Sequence, residues 1–231
     1  MNLFYQPDIG QGILHLDPDE SRHAVKVLRM QTGDTIELTD GHGFLYHALI
    51  SKADPKKCEF TIAEKREIPS RDFTIAIAIA PTKNMDRTEW FVEKAVEIGI
   101  DKIHLLLCKN SERKSVNQER LHKIAVSAMK QSGQARLPHI TEMIPFKEVM
   151  SHEAAQKFIC YVDINNPDQL KALAKSKQSY LVLIGPEGDF NKDEIHMANE
   201  HGFKKVSLGP NRLRTETAAL TACQILNFVN L

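Results

Sequence analysis

The spacing of hydrophobic and polar positions changes character near residue 70. Before it, short β-type runs alternate with turn signals. Ile36–Leu38 is followed by Asp40-Gly41-His42-Gly43 and then by Phe44–Ile50. Ala53-Asp54-Pro55-Lys56-Lys57 precedes the run Cys58–Ala63. An Asp-Gly step between β-formers signals a hairpin, because its two central residues must adopt positive φ. Asp17 followed by Pro18 marks a helix start and predicts a short helix over Pro18–Leu28. These features predict a small β-barrel-like domain at residues 1–70, with Ile68-Pro69-Ser70 as the linker.

After residue 72 the pattern becomes strand, helix, strand. Phe73–Ala80 is a continuous apolar run ended by Pro81, as expected of a strand covered on both faces in a parallel sheet. A helix is predicted over Met85–Ile98, with Gly99 at the position after its end. Lys102–Cys108 reads as the next strand. In Asn117–Gln134, Leu121, Ile124, Ala125, Ala128 and Met129 recur at i, i+3, i+4, i+7 and i+8, an amphipathic helix. Further strands are predicted at 139–144, 157–164, 180–184 and 205–208, and helices at 168–174, 192–200 and 216–229. Asn191 with Glu194 forms a capping-box pattern. Six strands alternating with helices predict an α/β domain over residues 71–231 built on an open parallel sheet.

Composition narrows the function classes. The 231 residues carry 30 Lys+Arg against 30 Asp+Glu, with 42% hydrophobic residues, so disordered and fibrous classes are excluded. No apolar run approaches the roughly 20 residues of a membrane span, and the first ten residues lack a secretory pattern; a cytoplasmic protein without membrane association is expected. The four cysteines are widely spaced with no CxxC pair, so neither a metal site nor a disulfide framework is expected. Charge is nonetheless uneven. Residues 71–140 hold 12 basic and 8 acidic side chains. A local basic face on a neutral chain suits a specific polyanion site, or is simply a solvated helix surface.

Two loops stand where strands of such a sheet deliver their carboxyl ends, the place where ligands bind. The first is Ile184-Gly185-Pro186-Glu187-Gly188-Asp189-Phe190. The second is Ser207-Leu208-Gly209-Pro210-Asn211-Arg212-Leu213-Arg214-Thr215-Glu216. Glycine lets the backbone approach a ligand or merely serves a tight turn. Thr215 reads as a helix N-cap. Arg214 is harder to assign to structure, because a cation at a helix N-terminus opposes the helix dipole. Dinucleotide-binding, P-loop, nucleophile-elbow and zinc-protease motifs are all missing.

The pair IGPEGDF (184–190) and SLGPNRLRTETAAL (207–220) resembles the SPOUT superfamily of methyltransferases, and more closely the bacterial 16S ribosomal RNA uridine-N3 methyltransferase family. RHAVKVLRMQTGD (22–34), KNMDRTEWFVEKAVEIGI (83–100) and SERKSVNQERLHKIAVSAMKQSGQARLPHI (111–140) extend the likeness over nearly the whole chain. Two positions depart from the family pattern: Asp189 stands where a second glycine is usual, and Asn211 where arginine is frequent. The resemblance implies a PUA-like RNA-binding β-barrel at residues 1–70, followed by a SPOUT domain at 71–231 with a C-terminal trefoil knot. It implies S-adenosylmethionine as co-substrate, held by Gly185, Gly188, Leu208, Gly209, Leu213 and Thr215, with no metal. Arg214 is the candidate for stabilising charge on the target uracil, and Glu216 a candidate base or a group that orients Arg214. Arg22, Arg29, Arg66, Lys83, Arg113 and Lys130 are candidate RNA contacts. The partners implied are 16S rRNA in the assembled small ribosomal subunit and a second copy of the chain, giving a homodimer. Competing readings are a SPOUT enzyme acting on another RNA position such as a ribose 2′-oxygen, an inactive ribosome-assembly factor, and a nucleotide-dependent oxidoreductase.

Overall fold

The computed structural model describes residues 3–161 and 168–231. It divides into two compact units: the chain through Ser70 together with Val126–Leu137, and Arg71–Ala125 with Pro138–Leu231. The sequence pattern suggested one boundary after residue 70. The final turns of the amphipathic helix instead belong to the first unit, a return that no linear periodicity encodes.

In the first unit, β1 (Leu3–Tyr5), β2 (Thr35–Thr39), β3 (Phe44–Lys52) and β4 (Glu59–Glu67) form a sheet in that order. β1 runs parallel to β2, and the other pairs are antiparallel. Register shifts after His47 and Ile50 add twist to the β3–β4 pair. Helix α1 (Pro18–Arg22) starts where the cap signal predicts: the Asp17 carboxylate accepts from the Asp19 and Glu20 N–H groups, both at 2.8 Å. The chain then continues as one π-helical stretch, His23–Val27, so the expected helix is present but changes its winding. Phe4, Leu16, Ile36, Leu38, Ala48 and Ile50 fill the core. The returning segment is zipped to the predicted hairpin turn. Gly43 N–H donates to Ala135 O and Leu137 N–H to Gly41 O, both at 2.8 Å. The Arg136 guanidinium donates to His42 O at 2.8 Å and Ile68 O at 2.9 Å.

The second unit is a six-stranded parallel sheet in the order β10-β8-β9-β5-β6-β7. Its elements are β5 (Thr74–Ile79), α2 (Met85–Ile98), β6 (Lys102–Leu107), the start of α3 (Gln118–Gln131), whose turns from Val126 onward lie in the first unit, β7 (His139–Pro145), α4 (Phe146–Val149) and β8 (Gln156–Cys160). They continue as α5 (Leu170–Leu173), β9 (Ser179–Ile184), α6 (Lys192–Glu200), β10 (Lys204–Val206) and α7 (Thr215–Val229). The strand expected over 157–164 is β8; positions 162–164 lie outside the described residues. The central strands β5 and β9 are buried on both faces, which is why their sequences are unbroken apolar runs. Each buried isoleucine there contributes about 1.5–3 kcal/mol. Leu121, Ala125, Ala128 and Met129 of the predicted stripe are buried, with Ile124 beside them. Helix α7 packs against α2 and β5. Among the described residues, no helix is long and apolar enough to cross a membrane, and no cluster of three or more His, Cys, Asp or Glu is placed to hold a metal. All four cysteines are free thiols, and Cys58, Cys108 and Cys223 are buried.

His104, on β6, is 6% exposed, and its ring lies 4.5 Å from that of His152. Its Nδ1 has no partner among the described residues. Burial first, then the neighbouring His152, pulls its pKa from 6.5 down to about 4. Between these values the unfolded chain binds a proton that the folded chain refuses. Stability should therefore fall as pH drops from about 6.5 to about 4, by up to about 3 kcal/mol, and level off below. Urea unfolding of wild type and His104→Phe across this range checks it: the substitution should flatten that part of the slope.

Candidate functional site

The carboxyl ends of three adjacent strands, β10, β8 and β9, open into a cavity of about 560 Å³. Cys160 and Tyr161 close the β8 end. Ile184–Glu187 and Asp189 come from the loop after β9, and Val206–Thr215 from the loop after β10. Ala218 of α7 and Arg87 of α2 complete the wall. This is the crevice position in which open α/β sheets bind ligands, and the volume suits a small organic molecule.

Short polar ties hold the two loops together. The Thr215 hydroxyl, buried at the first turn of α7, donates to Gly185 O at 3.1 Å. The Glu187 carboxylate accepts from Lys83 N–H at 2.9 Å, bracing the first loop on the loop after β5. The Asn110 amide donates to Gly188 O at 3.2 Å and Asp189 O at 3.1 Å. Lys109 N–H donates to the buried Glu194 at 2.8 Å, while Glu194 and Asn191 form the expected capping box at the start of α6. In the second loop, the Ser207 hydroxyl donates to Gly209 O at 3.0 Å, and Leu170 N–H donates to Ser207 O at 3.0 Å.

Of the six residues expected to hold a cofactor, Gly185, Leu208, Gly209, Leu213 and Thr215 line the cavity. Gly188 does not. A Cβ at that position would lie 3.2 Å from Asn110 Cβ, and one at Gly185 would lie 3.2 Å from the Phe190 ring. Gly185 thus allows close packing within its own loop, and Gly188 close packing against the loop after β6. Thr215 is not the N-cap the sequence suggested. Arg214 holds that position without a side-chain cap bond, and Thr215 spends its hydroxyl on Gly185. Arg214 is exposed and lines the cavity, and among the described residues its guanidinium has no partner. Glu216 is buried and does not line the cavity. Its Oε1 lies 3.9 Å from Arg87 Nε, so its cation is Arg87 and not the expected Arg214. The side chain at the second position of α7 faces α2, whereas Arg214 precedes the helix. Arg87 itself was missed because it reads as one more polar position on an amphipathic helix.

The six candidate RNA contacts separate by availability. Arg29 and Arg66 are exposed, Arg29 with φ of 58°. Arg22 makes an exposed 3.2 Å pair with Asp19, worth little. Lys130 is paired with Glu20 within the first unit, and both are largely buried. In the second unit, Lys83 Nζ lies 2.9 Å from Glu112, and Arg113 donates to Lys83 O at 2.5 Å. Within the cavity wall, burial pushes the Cys160 thiol up, which disfavours its thiolate form.

A family model described as an RNA methyltransferase domain matches residues 69–227, and one described as an RNA methyltransferase PUA domain matches residues 16–63. Ribosomal RNA small subunit methyltransferase E of Rickettsia conorii is 29% identical over 215 residues, covering 90% of this chain and 87% of that protein. Among solved structures, a probable rRNA-methyltransferase from Porphyromonas gingivalis is 43% identical with a TM-score of 0.94, covering 100% of this chain and 98% of that one. Ribosomal RNA small subunit methyltransferase E from Neisseria gonorrhoeae, bound to S-adenosyl methionine, is 26% identical with a TM-score of 0.87, again covering 100% and 98%.

The Asp189 departure has a conformational basis. Asp189 adopts φ of 61°, which glycine reaches freely and aspartate tolerates better than most residues, and its carboxylate accepts from Phe190 N–H at 2.8 Å. Asp189→Gly should leave melting temperature and ligand affinity near wild type. Asp189→Val should cost about 1–3 kcal/mol in thermal unfolding, because a β-branched residue is strained at this φ.

Proposed function

The chain belongs to the RNA methyltransferase family, and from that premise we infer that it transfers a methyl group from S-adenosylmethionine to N3 of a specific uridine in 16S ribosomal RNA. One observation carries the inference most directly: the two motif loops meet in one cavity and are tied by Thr215 to Gly185. Its mixed apolar and backbone-polar wall fits an adenosine-sized ligand.

Gly185, Leu208, Gly209, Leu213 and Thr215 hold the co-substrate, the leucines against its apolar surface and the loop backbone against its polar edges; Gly188 shapes the turn. S-adenosylmethionine supplies an electrophilic methyl group on a sulfonium. Uracil N3 carries a proton at neutral pH and attacks well only as its anion develops, with charge spreading onto O2 and O4. Arg214, uncommitted at the cavity rim, stabilises that charge. In-line positioning of N3 and the methyl group supplies much of the remaining rate.

The finer architecture follows the same reading. The first unit, residues 1–70 with the returning Val126–Leu137, acts as a PUA-like barrel that contacts RNA, and the second as the methyltransferase domain. The β10–α7 segment threads as a trefoil knot, supported by the sheet order and by the tie from α7 to the loop after β9. Arg22, Arg29, Arg66, Lys83 and Arg113 contact phosphates, Lys130 least because Glu20 neutralises it. The working form is a cytoplasmic homodimer acting on the assembled small subunit.

The test is methyl transfer from labelled S-adenosylmethionine to small subunits lacking the modification and, in parallel, to naked 16S RNA, with the product nucleosides identified by mass spectrometry. The expected result is 3-methyluridine on subunits, with Arg214→Ala slowing transfer by about 10²-fold. Label in another nucleoside or in a 2′-O-methyl group would overturn the target, and an unimpaired Arg214→Ala would overturn the role of Arg214.

A further inference from the structure

Glu216 is 7% exposed. Its Oε2 has no hydrogen-bond partner among the described residues, and Oε1 has only Arg87, at 3.9 Å. A buried carboxylate held this loosely costs stability, and an apolar side chain between α7 and α2 would pack there without that cost. The arrangement makes sense if the carboxylate serves the cation it faces. Arg87 comes from α2, an element outside both motif loops, and its side chain is 39% exposed and reaches the cavity wall. The other charged groups on that wall are Glu187, Asp189, Arg212 and Arg214. Glu187 is tied to Lys83 N–H, whereas Arg212 and Arg214 are exposed and lack partners among the described residues. Arg87 is therefore the cavity arginine with a buried anchor.

The uracil anion has two charged edges, O2 and O4, flanking N3, and a single arginine at the rim addresses one of them. Resting on the proposed uridine-N3 reaction, we propose that Arg87 is a second catalytic residue, donating to the ring carbonyl that Arg214 does not reach, and that Glu216 is a positioning residue that aims the Arg87 guanidinium. In the step itself, the N3 proton passes to solvent water, and the N3 electron pair forms the new N–CH3 bond. The S–CH3 bond breaks with its electrons returning to sulfur, which leaves a neutral thioether. Arg87 gains no proton and loses none; it lowers the energy of the anion through which the proton leaves.

This assignment predicts a kinetic signature that packing alone does not. A group that stabilises the anion lowers the pH at which bound uridine becomes reactive. In Arg87→Ala, kcat at neutral pH should fall by about 10²-fold, the rising limb of log kcat against pH should move to higher pH, and the deficit should narrow under alkaline conditions. Arg87→Lys should recover part of the loss, since charge remains but the forked donor does not. Glu216→Gln, which keeps the shape and removes the charge, should show the same displacement of the limb at smaller size. The affinity of each variant for S-adenosylmethionine, measured by calorimetry without RNA, should stay within roughly twofold of wild type and reports that the cavity is intact.

If wild type makes 3-methyluridine while Arg87→Ala keeps its kcat and pH profile, the proposal for Arg87 fails and the uridine-N3 reading stands. A loss that is equal at every pH, or confined to RNA KM or to co-substrate affinity, likewise overturns it. If wild type makes no 3-methyluridine, both readings fail together.

Discussion

The hydrogen bond from the Thr215 hydroxyl to Gly185 O is the interaction on which the site depends. It joins the first turn of α7 to the loop after β9, two segments separated by 30 positions in the chain. Their strands are not neighbours either, because β8 lies between β9 and β10. Without that tie, the loops would be two independent glycine-containing turns at the edge of a sheet. With it they form one wall, and the ends of β8, β9 and β10 supply the floor. Glu187, Asn110 and Glu194 extend the bracing to the loops after β5 and β6, so that much of the carboxyl edge of the sheet is cross-linked by side-chain-to-backbone bonds. Such bonds preorganise a cavity, which lowers the ordering cost of binding.

The parallel sheet was legible because its central strands are covered on both faces, and that double coverage demands continuous apolar runs such as Ile75–Ile79 and Tyr180–Ile184. The helix starts at Asp17 and Asn191 were legible because caps are local chemistry. The return of Val126–Leu137 to the first unit was not, since it rests on backbone bonds between Ala135 or Leu137 and a turn nearly a hundred residues earlier. The short strand β1 escaped notice because three residues give no period. Within the site, the motif loops were readable and the bonds between them were not. Thr215 looked like a cap because the sequence shows a helix start but not the carbonyl that competes for its hydroxyl. Arg87 was invisible because its role comes from an ion pair to a residue 129 positions away.

Asp189 shows how a departure from a family pattern can conserve a backbone conformation. The position needs positive φ, and aspartate meets that need while hydrogen-bonding the next N–H group. Glu216 shows the reverse: an apparently ordinary acidic residue in the first turn of a helix, where the dipole favours it, lies buried and poorly paired, and gains a reason only through the arginine it faces.

The Thr215 tie is proposed to build the cavity for S-adenosylmethionine. Its most direct test is a calorimetric titration of the free protein with S-adenosylmethionine, comparing wild type with Thr215→Val, which keeps the shape and removes the donor. Affinity should weaken by roughly tenfold or more, as expected when a buried carbonyl loses its partner and the loops part. Unchanged affinity in a folded Thr215→Val variant would contradict it.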